Sequence, residues 1–228
     1  MTQDTQTIDV GGVNCFLAKT NAGDFILMDT GFASKRAGLE QELRSAGCEP
    51  GHLKLIVLTH GDADHAGNAA YLRERYKTKI AMHPGDSGMV ERGDMKFNRK
   101  DKPDKVAFMF RVILFLFGRQ SELDLFKADI ELHDGQSLED YGLDACILHL
   151  PGHSLGSIGI LTASGDLYCG DLVWNMGKPG FHFIDDLQAA TASVQKLKGL
   201  GVKTLYPGHG KPFPLDQLLR NLNLKETS

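Results

Sequence analysis

One stretch constrains the fold more than any other: residues 59–67, which read Thr-His-Gly-Asp-Ala-Asp-His-Ala-Gly. It follows directly on 53–58, a short and mostly apolar run of the kind that forms a buried strand. The loop therefore leaves the carboxyl end of a strand, where open α/β sheets usually place ligand sites. Burying so many polar groups in so few residues would cost heavily in desolvation unless they bound a partner. The four candidates mix imidazole with carboxylate, which suits zinc, iron or manganese: His60, Asp62, Asp64 and His65.

The same arrangement recurs three times later in the chain. In each case a histidine or an aspartate stands beside a glycine, just after an apolar run that indicates a strand. Glycine at such a strand exit lets the backbone come close to a ligand. These further candidates are His153, Asp171 and His209.

Apolar patterning elsewhere predicts alternating strands and helices, and hence a layered α/β architecture. The predicted strands are 13–18, 25–28, 53–58, 79–82, 129–132, 145–150, 158–161, 167–169 and 204–206, and the predicted helices are 32–46, 68–75, 187–198 and 214–222. The segment from about 84 to 127 breaks this rhythm and is rich in Lys, Arg, Met and Phe. The sequence thus predicts a single domain over 1–228 with a helical insertion at about 84–127.

With these motifs in place, the chain resembles the metallo-β-lactamase superfamily. That family carries His-x-His-x-Asp-His, then a lone His, a bridging Asp and a final His, in this order. The matching positions here are His60, Asp64, His65, His153, Asp171 and His209, and the Asp-Thr-Gly at 29–31 is similar to a motif that supports the family's site. The resemblance covers about 8–213 and implies a four-layer αββα sandwich. A true β-lactamase is not expected, because an Asp rather than a Cys occupies the later bridging position.

The resemblance also implies how the ligands are shared between two divalent metal ions. His60, Asp62 and His153 would hold the first, Asp64, His65 and His209 the second, and Asp171 would bridge them. Asp62 departs from the pattern, since the family usually has His there. A carboxylate moves the preference somewhat toward iron or manganese, although zinc remains the first expectation. The alternative is that Asp62 turns away and leaves a mononuclear site.

The function implied is hydrolysis of a small ester, thioester or lactone by a metal-bridging hydroxide, with Asp64 orienting the nucleophile or passing its proton. Alternatives are a phosphodiesterase of the same fold, an iron-dependent oxidoreductase (di-iron or persulfide-dioxygenase-like) and a noncatalytic binding module. Trp174, Asn175 and His182, near Asp171 in sequence, are candidates for the mouth of the site.

Composition argues against other classes of function. A formal charge of -4 gives no reason to expect nucleic acid or an anionic membrane. The N-terminus lacks a signal-peptide pattern and the four cysteines form no C-x-x-C pair, so a cytoplasmic location is expected. The apolar run 106–117 would rise about 18 Å as a helix, too short for a membrane span. Residues 95–119 are a core helix, a homodimer seam or a lid over a small-molecule substrate.

Overall fold

The computed structural model describes residues 4–106 and 123–224, which contain two main β-sheets. The first sheet has six strands in the order β1-β2-β3-β4-β5-β7. The first three form an antiparallel meander, and β3, β4, β5 and β7 run parallel to one another. Their bounds are Thr5–Asp9 (β1), Asn14–Lys19 (β2), Phe25–Met28 (β3), Leu53–Val57 (β4), Lys79–Met82 (β5) and Ile130–Glu131 (β7).

The second sheet has five strands in the order β13-β12-β10-β9-β8. Its central pair, β10 and β12, is parallel. The bounds are Ala145–His149 (β8), Ile158–Thr162 (β9), Asp166–Gly170 (β10), Thr204–Pro207 (β12) and Phe213–Pro214 (β13). A separate two-stranded ribbon pairs Lys105–Val106 (β6) with Phe183–Ile184 (β11).

Helices cover the outer face of each sheet. The helices are Arg36–Ser45 (α1), Ala63–Ala66 (α2), Ala69–Tyr76 (α3), Ser87–Arg92 (α4), Leu187–Lys196 (α5) and Leu215–Asn221 (α6), with 3-10 turns at Ala33–Lys35, Pro84–Asp86 and Glu139–Tyr141. Leu39 of α1 and Leu72 of α3 pack in one core with Ile56 of β4. Val194 of α5 and Leu218 of α6 pack against the second sheet.

A third core lies between the sheets and includes Val57, Ile147 and Ile160, all fully buried. In β4 only Lys54 is exposed, and all five residues of β9 are buried, because these strands are covered on both faces. The three cores separate four layers of helix, sheet, sheet and helix. The predicted αββα sandwich is confirmed.

Strand direction brings the functional loops to one edge of the sandwich. Because β3, β4 and β5 are parallel, their carboxyl ends lie side by side, and the same holds for β10 and β12. Backbone hydrogen bonds join the sheets near this edge, from Asn14 N to Gly208 O (2.8 Å) and from Ile158 N to Thr59 O (2.8 Å). The loops leaving both sheets therefore meet.

The predicted elements agree with the observed ones within a few residues, and the structure adds short elements that were not predicted: β1, β6, β11, β13 and α2. The edge strand β1 was not predicted, because most of its side chains are polar and exposed and only Ile8 is buried. The insertion is helical at 84–92, but Gly93 ends α4 with a φ of 67° and the chain from there to β6 is not helical. Within 4–106 and 123–224, none of the helices is long and apolar enough to cross a membrane. Most of the apolar run 106–117 and of the candidate lid 95–119 lies outside the described residues.

Candidate metal centre

The first group of candidate ligands gathers around His60 and His153. The Nε2 atoms of both lie 4.0 Å from Asp171 Oδ2, and these three residues offer ligand atoms within 4.8 Å of one another. Asp62 Oδ2 lies 2.9 Å from His153 Nε2 and 3.6 Å from His60 Nε2. The structure therefore turns Asp62 toward this group and not away from it.

The second group is built on the short helix α2 and the loop after β12. Asp64 and His65 project from α2, and His209 comes from the Pro-Gly-His loop. His209 Nε2 is 3.4 Å from both Asp64 Oδ2 and Asp171 Oδ2, and His65 Nε2 is 3.3 Å from Asp171 Oδ1. The four ligand atoms lie within 4.8 Å of one another. Asp171 belongs to both groups, so six of the seven predicted side chains form one cage, and Asp62 lies beside the first group in contact with His60 and His153.

The histidines present the same ring nitrogen to the cage. Each Nδ1 lies within hydrogen-bond distance of an acceptor outside it: Thr59 Oγ1 for His60 (3.0 Å), Asp29 Oδ2 for His65 (2.8 Å), Phe183 O for His153 (2.8 Å) and Gly12 O for His209 (2.8 Å). A proton held on Nδ1 leaves the Nε2 lone pair facing inward, as metal-ligating histidines require.

Several cage atoms are buried without a hydrogen-bond partner among the described residues: His60 Nε2, His65 Nε2, His209 Nε2 and Asp171 Oδ1. Buried polar atoms in folded proteins are almost always satisfied, and an isolated one costs about 1–3 kcal/mol. A set of inward-facing imidazole and carboxylate atoms with this deficit fits a metal centre. The donor set of nitrogen and oxygen is the one that zinc, iron and manganese accept.

Asp29 supports the cage from behind. It follows β3 with a φ of 59°, an uncommon value for a residue other than glycine, and is 1% exposed. Its carboxylate accepts hydrogen bonds from Thr59 N (2.8 Å) and Thr59 Oγ1 (2.7 Å), besides its contact with His65. One buried anion thus orients a histidine of the second group directly and, through Thr59, one of the first group. This matches the supporting role that the resemblance implied for the Asp-Thr-Gly motif.

Position 208 requires glycine because the backbone there lies very close to the side chains of the cage. A Cβ there would lie 2.6 Å from His65 Cε1 and would also collide with the Asp171 carboxylate. Any side chain at this position would push into the cage, which explains the glycine before His209.

The carboxylates raise the pKa of two histidines, His65 and His209, in the metal-free chain. Burial by itself would lower the pKa of His65, but the charges of Asp171 and Asp29 raise that pKa well above 6.5. For His209, burial is likewise outweighed by Asp171 and Asp64, which raise the pKa to about 10. His65 and His209 therefore each hold an extra proton at neutral pH when no metal is bound, and that proton must leave when metal binds.

A pH dependence of stability follows for the metal-free chain. Because the folded pKa of His209 exceeds its unfolded value, its stabilising contribution is complete below about pH 6.5 and is lost as the pH rises toward 10. We expect the Tm of chelator-treated protein to fall over this interval, measured by thermal unfolding at several pH values. His209→Gln should reduce the slope. Equal slopes in the two proteins would contradict the expectation.

Two residues of the centre were not predicted from sequence. Asp86, fully buried in the 3-10 turn after β5, accepts hydrogen bonds from Gly61 N (3.1 Å), Ser154 Oγ (2.6 Å) and Gly156 N (2.7 Å). It therefore ties the loop of the first motif to the loop that carries His153. The clue in the sequence was that Asp86 follows a predicted strand. In the structure that strand, β5, is the parallel neighbour of β4.

The second is Arg99, which donates from Nη2 to Asp62 Oδ2 at 2.9 Å. Burial would lower the pKa of the Arg99 guanidinium, but Asp62 more than reverses this and raises it. The same guanidinium, with help from His153, holds the pKa of Asp62 well below its usual value against the effect of burial. Asp62 is therefore an anion at neutral pH.

The candidate mouth residues lie next to the second group. The Trp174 ring stands 4.4 Å from that of His209, and His182 stacks on Trp174 with 5.5 Å between ring centroids. Asn175 instead supports the loop, donating from its backbone N to His209 O (2.9 Å) and from its side chain to Lys211 O (2.9 Å).

Fold and centre together define a class of protein: an αββα sandwich with a histidine- and aspartate-rich metal-type site at one edge. The family model described as the metallo-beta-lactamase superfamily matches residues 8–209. The chain belongs to this superfamily.

Several characterised or solved proteins are similar to it. A probable metallo-hydrolase, YflN, from Bacillus subtilis is 26% identical over 91% of this chain and 83% of its own length. Hydroxyacylglutathione hydrolase GloC from Haemophilus influenzae is 28% identical over 72% of this chain and 68% of its own length. The chain spans about half the length of other curated relatives, including Beta-lactamase-like protein 2 homologs of Drosophila melanogaster and Caenorhabditis elegans.

Solved structures share the fold at low sequence identity. The family protein TTHA1429 from Thermus thermophilus superposes with a TM-score of 0.72 at 21% identity, covering 97% of this chain and 78% of that one. TTHA1623, solved in a di-iron-bound form, superposes with a TM-score of 0.64 at 24% identity, covering 94% of this chain and 96% of that one. Membership of the superfamily and the hydrolases among these relatives support a metal-dependent hydrolase.

Proposed function

We propose that this protein is a dinuclear metallo-hydrolase that cleaves a small ester, thioester or lactone. The observation that carries the proposal is the sharing of Asp171 between two groups of ligand atoms, each compact enough for one ion. His60, Asp62 and His153 would hold the first ion, and Asp64, His65 and His209 the second. When bound, a pair of divalent cations supplies an acidified water and polarises a carbonyl oxygen.

The protein's own residues would contribute orientation and proton transfer. Asp64 has a side chain 23% exposed, so it is the most accessible carboxylate of the second group. From there Asp64 can accept a proton from the nucleophile and return it to the leaving group. Trp174 and His182 form an aromatic wall beside His209, on one side of the site.

The names of the relatives favour a substrate with a carbonyl group for this protein. The Haemophilus relative is named for hydrolysis of a glutathione thioester. YflN from Bacillus subtilis carries only the general name of a probable metallo-hydrolase. We therefore rank thioesters, esters and lactones ahead of phosphodiesters.

The test combines metal analysis with a substrate panel. We expect protein purified without added metal to hold two divalent ions per chain, zinc first, and to hydrolyse members of a thioester, ester and lactone panel. Hydrolysis confined to phosphodiesters would overturn the substrate class. One ion per chain in both the wild type and Asp62→Ala would overturn the dinuclear centre.

An iron-dependent oxidoreductase is the second candidate. It is favoured by Asp62, whose carboxylate is a harder ligand than imidazole, and by the di-iron form of the neighbour TTHA1623. Iron in the purified protein, a coloured preparation and oxygen consumption without hydrolysis would select this candidate.

The role of Asp64 can be tested separately. Asp64→Asn keeps the shape of the side chain but removes the proton acceptor, so we expect turnover to fall by about 10²-fold or more. Metal analysis of the variant must show that the ions remain. The exposed Asp144, mutated to Asn, is the control and should retain full turnover. Unchanged turnover in Asp64→Asn with metal bound would remove Asp64 from the chemistry.

A further inference from the structure

Asp62 is where this chain departs from its family pattern, and Arg99 is its immediate partner. Arg99 Nη2 lies 2.9 Å from Asp62 Oδ2 and 3.3 Å from His153 Nε2. The Arg99 side chain is only 9% exposed, and its guanidinium also lies over the Phe183 ring at 5.5 Å. A permanently charged group is thus enclosed by protein at the edge of the first group of ligands.

The neighbours of Arg99 hold it in this position. Asn98, with a φ of 55°, donates from its side chain to Gly85 O (2.9 Å). On the other side, Lys100 N donates to both carboxylate oxygens of Asp185, at 3.0 and 3.2 Å. The turn is therefore anchored at both ends, and the direction of the Arg99 side chain is set before any ligand arrives.

Charge explains why such an arginine is useful here. A neutral imidazole at position 62 would add no charge to the first group, whereas the Asp62 carboxylate adds -1. The guanidinium adds +1 and cannot lose its proton in a protein. The Asp62–Arg99 pair therefore presents a ligand oxygen with no added net charge, as a histidine would present a nitrogen.

We propose that Arg99 is a positioning residue for the first metal ion: it orients Asp62 and compensates its charge, so that the two residues act as one ligand unit. The inference rests on the proposed dinuclear centre, since it takes His60, Asp62 and His153 as the first set of ligands. Because Arg99 lies in the insertion, the insertion then controls how readily the first site takes up its metal ion.

The test measures zinc affinity, by competition with a chelator, in four proteins: the wild type, Arg99→Gln, Asp62→His and the double variant. Outer partners of metal ligands typically contribute 10–100-fold in affinity. Arg99→Gln removes the donor that orients Asp62, and we expect this loss to outweigh the attraction of the uncompensated carboxylate and to weaken binding of the first ion by about 10-fold or more. Asp62→His leaves the guanidinium uncompensated beside the cation and should also weaken it.

The double variant is the decisive comparison, because there we expect the loss of Arg99 to raise zinc affinity and not to lower it. Adding Arg99→Gln to Asp62→His removes the uncompensated charge and should restore the affinity to within about threefold of the wild type. Adding Arg99→Lys instead keeps the charge and should not restore it. If thermal melting shows that the Arg99→Gln protein is unfolded, Arg99→Met is used in its place. Lys102→Gln changes an exposed cation of the same insertion and is the matched control, which should leave zinc affinity unchanged.

The outcomes separate this inference from the proposed function. If Arg99→Gln changes zinc affinity in the same direction beside Asp62 and beside the introduced histidine, Arg99 does not act through Asp62 and the inference is wrong while the dinuclear centre stands. If the wild type itself binds one ion per chain at saturating zinc, both the centre and the inference are overturned.

Discussion

Asp171→Ala should lower turnover on the substrate identified by the panel by at least about 10³-fold and reduce the bound metal to less than one ion per chain. Asp171 is the residue common to both groups of ligand atoms, with Oδ1 3.3 Å from His65 Nε2 and Oδ2 3.4 Å from His209 Nε2. Its side chain is 3% exposed. Replacing it removes the shared anion from both positions at once, and the metal contribution to a reaction of this kind amounts to several kcal/mol.

The expected cause of this loss is local, so the fold should persist. Circular dichroism and metal analysis of the variant distinguish loss of ligand from loss of structure. Asp216→Asn changes an exposed aspartate of α6 and is the matched control, expected to keep both ions and full turnover. An Asp171→Ala protein that still holds two ions would show that the carboxylate does not bridge.

Asp86→Asn should both lower the stability of the fold and weaken metal binding by the first group of ligands. The amide retains one acceptor oxygen but introduces two donors next to Gly61 N, Gly156 N and Ser154 Oγ. At least one buried donor then loses its acceptor, at about 1–3 kcal/mol, and the incoming donors add repulsion. We expect the variant to lose about 2–4 kcal/mol of unfolding free energy, a fall in Tm of roughly 5–15 °C for a chain of this size.

The same substitution should release the ion of the first group before that of the second. Asp86 joins the loop of His60 to the loop of His153, whereas the ligands of the second group are supported by Asp29 and Gly12. Zinc titration of the folded variant should therefore show one weakened site. Asp94→Asn, an exposed position in the same insertion, is the control for both measurements. Equal weakening of both sites, or no weakening, would contradict the assigned role of Asp86.

Much of the centre could be predicted from sequence because its ligands lie at strand exits. His60, Asp64 and His65 follow a recognisable buried strand and lie within six residues of one another, although the structure puts Asp64 and His65 on the short helix α2. His153 and His209 each carry a preceding glycine that marks a close approach. Local patterns of this kind survive as sequence signals because short-range geometry determines them.

The supporting residues were harder to predict, since their partners are distant along the chain. Asp86 meets Gly156 across 70 positions, and Arg99 meets Asp62 across 37. Neither contact follows from hydrophobic period or from turn chemistry. The strand β1 was also not predicted, because its polar edge-strand sequence carries little apolar pattern.

The sequence by itself determined which residues could bind a cation and on which strand ends they stand, since residue type and hydrophobic period are local properties. Only the tertiary structure decided that Asp62 faces the first group, that a guanidinium neutralises it and that Asp171 serves both groups. Those outcomes depend on which loops of two different sheets come together, and this is set by packing of the sheets across a shared core.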